Sequence, residues 1–388
     1  VSARRTIFKN DGFFLPMGLL ITILCLFSPL PQQAPQVNDV ADRFNRAVEL
    51  QRKGELKEAA SEYRAALTRA PNYAEAQANL GAVLARLGNY EEAIAAYEAA
   101  LRLKPELTPI LLNLGIAHYR AGQFAKAAEV LERFLAVAPD HAQARQLLGV
   151  SLVELGRDAE AITYLEPALS SPQTEATALY SLGLAYLRLR RGDAGGVAKR
   201  LASREDGVAL SRLLQGQTHL EEFAFEKAAT ELEAAAKLSA DLPRIHFLLG
   251  LAYFKLGRLP EARERLEREL NRDPDDFLTL YYLASLAEKQ NDLDSAGRRI
   301  EAALARQPQS VEALTLAGNV FFKQGRTAEA VRALEQATRQ QPDNSEARYL
   351  LARGYQKLGR KQEAAREFKE VERLKAQANE REKERKPK

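Results

Sequence analysis

The chain has 388 residues, 46% hydrophobic and 28% charged, with a mean hydropathy of −0.34. That balance excludes disordered, collagen-like and multi-span membrane chains, and the length alone suggests about two or three domains. The net charge of +4 gathers at the two ends and leaves a near-neutral body, while the single cysteine, Cys25, excludes an intramolecular disulfide and a cysteine zinc site. A near-neutral body lacks the clustered Lys and Arg that displace counterions, so no nucleic-acid partner is expected.

Residues 1–34 read as an export signal or an N-terminal membrane anchor. Arg4, Arg5 and Lys9 precede an apolar stretch over 13–27, the order of charged and apolar regions in an export signal. Its strongest apolar core, Met17 to Phe27, is about half the ~20 residues a transmembrane helix needs, so membrane contact is expected through 13–27 only. The Arg4-Arg5 pair reads either as a twin-arginine motif or as ordinary charge of the signal. Residues 35–39 read as a Pro/Gln-rich linker. The expected location is outside the cytoplasm, periplasmic or anchored to the outer face of the cytoplasmic membrane.

From about residue 40 the sequence repeats itself. Ala59, Ala93, Ala127 and Ala161 are 34 apart, and after one single-residue slip the series resumes at Ala228, Ala262, Ala296, Ala330 and Ala364. Gly81, Gly115, Gly149 and Gly183 form a second ladder, continued by Gly216, Gly250 and Gly318, and prolines at 71, 105 and 139 form a third. Within Tyr73–Glu106, apolar residues recur at three- and four-residue spacing, which is the pattern of two amphipathic helices. Gly88 between them suits the left-handed position that ends a helix, and the same slot holds Gly54, Gly122, Gly156, Gly257, Gly325, Gly359 and Asn291. Small residues at Gly81 and Ala93 let the paired helices approach closely.

These features resemble the tetratricopeptide repeat, a 34-residue helix–turn–helix. The resemblance implies an all-α solenoid, a right-handed superhelix of about ten units over 40–374. The units begin near 40, 74, 108, 142, 176, 209, 243, 277, 311 and 345. The family's early Trp is replaced by Leu111, Leu179, Leu280 and Leu314 in four units. The array is degenerate around 190–208, where glycine-rich sequence disfavours helix, and it bends or divides there unless one repeat has simply drifted. The sixth unit has Phe223 in the turn slot. Residues 375–388 form a charged helical tail.

No catalytic constellation is present, so no enzyme, cofactor or metal is expected. His118 and His219 fall in a slot that holds tyrosine elsewhere and are expected to be packed. What remains is surface. In such arrays the first helix of each unit lines a concave groove, with its second, fifth, sixth, ninth, twelfth and thirteenth positions inward. Carried over, these positions give an asparagine ladder, Asn45, Asn79 and Asn113, suited to holding a peptide backbone. Further along they give the aromatics Tyr180, Phe247, Phe254, Tyr281, Phe322 and Tyr349, which either face the groove or pack between neighbouring first helices. The thirteenth position is mostly basic, from Arg52 to Lys357, as in a solvated rim. The clamp that grips a chaperone's C-terminal carboxylate is not expected, because Phe44, Val48, Ala78 and Ala82 occupy its positions. The resemblance implies a non-enzymatic interaction scaffold that binds a peptide or protein in the groove. The alternatives are an envelope assembly factor, in polysaccharide export or secretion, and the non-catalytic arm of an enzyme complex.

Overall fold

A computed structural model describes residues 35–170 and 174–385. The expectations for 1–34 lie outside the described residues. The structure is 81% helical, with no strand among the described residues. Its helices come in pairs: α1 (Pro35–Lys53) with α2 (Leu56–Arg69), α3 (Ala74–Arg86) with α4 (Tyr90–Leu103), and α5 (Thr108–Arg120) with α6 (Phe124–Val137). There follow α7 (Ala142–Glu154) with α8 (Asp158–Leu165) and α9 (Ala176–Leu189) with the short α10 (Ala194–Ala202); α11 (Val208–Glu221) and α12 (Phe225–Leu238) come next in the chain. The remaining pairs are α13 (Ile245–Lys255) with α14 (Leu259–Arg272), α15 (Phe277–Lys289) with α16 (Leu293–Arg306), α17 (Val311–Lys323) with α18 (Thr327–Gln340), and α19 (Ser345–Lys357) with α20 (Lys361–Arg385).

Two boundaries differ from the sequence reading. Residues 35–39 lie in helix α1 instead of forming a linker. The chain forms two compact units, but they do not part at 192–207. The N-terminal unit holds the described residues to Thr218 with Ala235–Pro243, and the C-terminal unit holds His219–Ala234 with Arg244 onward. The degenerate stretch lies inside the first. There α10 has 9 residues where α2, α4, α6, α12, α14, α16 and α18 have 14, and a 3-10 turn at Glu205–Gly207 leads into α11. Asp193 starts α10 by accepting a hydrogen bond from the Gly196 amide at 2.7 Å, so a side-chain cap offsets the glycines that follow.

The turns between paired helices share one backbone geometry. In the second pair of helices, the Gly88 amide donates to the Ala85 carbonyl and the Asn89 amide to that of Leu84. These two bonds satisfy carbonyls left open by the last helical turn, and they require a positive φ at the residue between. Gly88 has φ +81°, and the seven other slots anticipated from sequence are likewise positive, including Asn291 at +60°. Phe223 at +58° and Arg190 at +51° take the same conformation, and the amides after them close the same bonds, Ala224 to His219 and Arg191 to Tyr186. The bonds outweigh the strain there. A side chain in this region costs about 1–2 kcal/mol, and Phe223 recovers little of that, because it is 77% exposed, with the Phe225 ring edge-on beside it. Phe223→Gly is therefore expected to stabilise the fold by about 1 kcal/mol, read as a higher urea midpoint. A lower midpoint would mean that the Phe223–Phe225 contact outweighs the backbone strain.

Inside each pair, the glycine ladder meets a large residue sixteen positions on. A Cβ placed on Gly81 would stand 2.7 Å from the Tyr97 ring, and one on Gly115 2.7 Å from Leu131. Gly149 faces Leu165, Gly250 faces Leu266 and Gly318 faces Leu334 in the same way. The alanines of the second helices, Ala93, Ala127, Ala161, Ala262, Ala296 and Ala330, are fully buried. The leucines in the Trp slot, Leu111, Leu179, Leu280 and Leu314, are buried too. The core of each pair is therefore a close helix–helix contact that only small residues permit. Gly183 departs from the rule: the residue sixteen positions on is the exposed Lys199, and a Cβ on Gly183 would meet Leu214 of α11 and Val197 of α10 instead.

Candidate binding surface on the first helices

The slot shared by tyrosine and histidine shows how the first helices are held. Tyr186, Tyr253 and Tyr355 donate their hydroxyls to Glu166, Glu233 and Glu335, at 2.8, 2.5 and 2.8 Å. Burial first, then the glutamate bond, pushes Tyr253 and Tyr355 up to about 12, so both stay neutral donors. His118 is buried in this slot and pairs Nδ1 with Gln123 at 2.9 Å. His219 is not packed as expected. It is half-buried, with Nδ1 3.0 Å from Glu222. His141 caps α7, accepting from the Ala144 amide.

In the N-terminal unit, Asn45, Asn79 and Asn113 stand at equivalent positions of α1, α3 and α5. Asn45 is exposed and the other two are half-buried. None of the three side-chain amides has a hydrogen-bond partner among the described residues. Each amide therefore keeps two donors and an acceptor unspent. Tyr180, expected on the same face, is not available. It is 6% exposed and its hydroxyl donates to Gln217 of α11 at 2.9 Å. Phe44, in a clamp position, is occupied with Tyr63 and Tyr73 at ring distances of 5.8 and 4.9 Å.

In the C-terminal unit the aromatics divide. Phe247 is buried, 6% exposed, between the Arg244 guanidinium 4.2 Å from its ring and the edge of Tyr282 at 5.9 Å. It packs between neighbouring first helices and does not line a groove. Its backbone amide donates to Glu269, a buried carboxylate of α14 whose pKa burial raises. This bond replaces the N-cap that Arg244, at φ +53°, does not provide. Phe254 is half-buried against Tyr282 at 5.5 Å, and Tyr281 is half-buried on Phe277. Tyr282 joins Phe247, Phe254 and Tyr281, reaching the last at 5.3 Å. The sequence reading passed over Tyr282, although it holds the inward sixth position directly after Tyr281. Phe322 on α17 is half-buried, and Tyr349 on α19 is 44% exposed with its edge on Phe368. The thirteenth-position cations are exposed, as expected of a rim. Lys323 pairs with Glu288, and Arg188 with Asp158 at 3.2 Å. No helix among the described residues is long and apolar enough to cross a membrane.

Comparison with known families agrees with this architecture. Tetratricopeptide-repeat models match residues 44–107, 281–331 and 315–379, 80–150, 118–185 and 243–276, and a further TPR-repeat model matches 224–257. The chain belongs to the tetratricopeptide-repeat family, whose modules bind protein partners. Its fold is similar to one in the crystal structure of the APC/C hetero-tetramer Cut9–Hcn1. That match has a TM-score of 0.55 and 14% identity, and covers 87% of this chain and 81% of that one. A structure described as the MamA RS-1 ArsTM double mutant is also similar, at 20% identity and a TM-score of 0.40, covering 47% of this chain and 96% of that one. No curated protein matches.

Proposed function

We propose that this protein is a non-enzymatic scaffold that captures an extended segment of a partner protein along its first helices. The observation that carries this reading is the row of unpartnered amides at Asn45, Asn79 and Asn113. An amide with open donors and an acceptor matches a peptide main chain whatever its side chains, which suits sequence-tolerant capture. In the C-terminal unit, the exposed Tyr349 and half-buried Phe322, Phe254 and Tyr281 supply apolar contact. Titration of the full chain with labelled unstructured peptides tests the proposal. Binding that weakens when Asn79 and Asn113 are replaced supports it, and a chain that binds no peptide overturns it.

The charged and apolar order of residues 1–34 supports an exported location, which we propose on sequence grounds. A reporter fused after Lys388 is expected to be active outside the cytoplasm. Activity confined to the cytoplasm would overturn that location.

A further inference from the structure

Cations stacked on aromatic rings recur in the C-terminal unit, and most of them are neutralised. Arg244 over Phe247 holds Asp276 at 3.0 Å, and Arg258 over Tyr253 holds Glu261 at 2.9 Å. Arg326 over Phe321 holds Glu329 and Glu301, and Arg360 over Tyr355 holds Glu363. The pattern is a ring, a cation on its face and a carboxylate on the cation.

The third part is missing at Phe254, where the lone cation Lys289 stands 5.7 Å from the ring centroid, and at Phe322, where two cations share the ring. Arg353 and Lys357, one turn apart on α19, stand 5.1 and 5.0 Å from the centroid of this one ring, and Arg353 also reaches Tyr349 at 6.0 Å. Both cations are exposed, and neither has a carboxylate partner among the described residues. Two like charges at i,i+4 repel each other. Neighbouring Lys323 is satisfied by Glu288, so the open pair is confined to α19. Beside it lies the exposed face of Tyr349.

We infer that the missing carboxylate comes from the ligand: the α17–α19 face binds an acidic peptide segment, with a Glu or Asp side chain between Arg353 and Lys357 and an adjoining apolar side chain on Tyr349 and Phe322. This deepens the scaffold reading and rests on it. The charge selects the occupant. A basic segment, such as the chain's own Arg4–Lys9 stretch, would be repelled. A side-chain carboxylate suffices, so no free C-terminus is required.

The test uses the full chain and a fluorescein-labelled peptide of repeated Glu-Leu-Gly-Ser, with counterparts carrying Gln or Lys in place of Glu. Each charge-assisted contact is strong enough that losing it costs about tenfold or more in affinity. The Glu peptide is therefore expected to bind at least about tenfold more tightly than the Gln peptide, and the Lys peptide more weakly still. Arg353→Gln with Lys357→Gln should abolish the preference for Glu while leaving the Gln peptide's binding and the helical circular dichroism unchanged. Arg353→Glu with Lys357→Glu should transfer the preference to the Lys peptide. Equal binding of the Glu and Gln peptides, or a preference that survives the double variant, overturns this inference and leaves the scaffold reading standing. Silence from all three peptides overturns both. Phosphatidylserine vesicles are the last arm: if they bind through Arg353 and Lys357 and displace the Glu peptide, the anion is a lipid headgroup and the peptide assignment falls.

Discussion

Gly318→Val is expected to destabilise the C-terminal unit by about 3 kcal/mol, the upper part of the range for forcing extra methyl groups into a packed contact. Gly318 on α17 faces Leu334 on α18, which is fully buried and belongs to a core shared with Ala330, Ile300 and Leu351. A Cβ there would fall inside 3 Å of the leucine side chain. Leu334 cannot yield, because it is enclosed on every side. Gly318→Ala is the milder case. Its smaller overlap is partly offset by the roughly 1 kcal/mol that Ala gains over Gly inside a helix. Urea denaturation of both variants, repeated in a Leu334→Ala background, isolates the cause. If close approach is the reason, Gly318→Val costs much less once Leu334 is shortened. Strictly additive costs would remove the packing explanation.

The joint replacement Asn79→Ala with Asn113→Ala is expected to weaken peptide binding by about one to two orders of magnitude. Each amide contributes the net worth of about one neutral hydrogen bond, roughly 0.5–1.5 kcal/mol, and each 1.4 kcal/mol is a factor of ten. Stability should hold or rise slightly, because neither amide bonds to another described residue and Ala is the better helix former. That separation of readouts is the point of the experiment. Unchanged affinity with unchanged stability would move the functional surface off the first helices of the N-terminal unit.

Turn and contact positions were readable from sequence because each depends on a property of one residue or one pair. Gly88, Gly257 and Asn291 betray a left-handed backbone whatever surrounds them, and all three have positive φ. Gly81 and Ala93 betray a close helix pair, and the structure places Tyr97 against the first and buries the second. The aromatic surface was less readable, since an inward position says which face a ring is on but not what covers it. Tyr180 is covered by Gln217, 37 residues away, and Phe247 by Tyr282, 35 residues away. Tyr349, at the same position as both, stays 44% exposed. Periodicity within one helix carries no record of such neighbours. Nor does it reveal that Arg353 and Lys357 share one ring while Arg244, Arg258, Arg326 and Arg360 each find a carboxylate, which takes distances between residues.

The sixteen-residue step from Gly81, Gly115, Gly149, Gly250 and Gly318 to a leucine or tyrosine makes each of these helix pairs a cassette of fixed length. Adding or removing one residue between such partners would rotate one member out of the contact, so length can vary there only by whole cassettes. Gly183 is outside this bookkeeping, since its partner Leu214 lies 31 residues on, across the short α10 and the 3-10 turn before α11. The one-residue slip in the alanine ladder falls in this interval, between Ala161 and Ala228. The stretch from Arg190 to Gly207 is thus the expansion joint of the chain, the place where a fractional change of length is absorbed without disturbing the registers on either side.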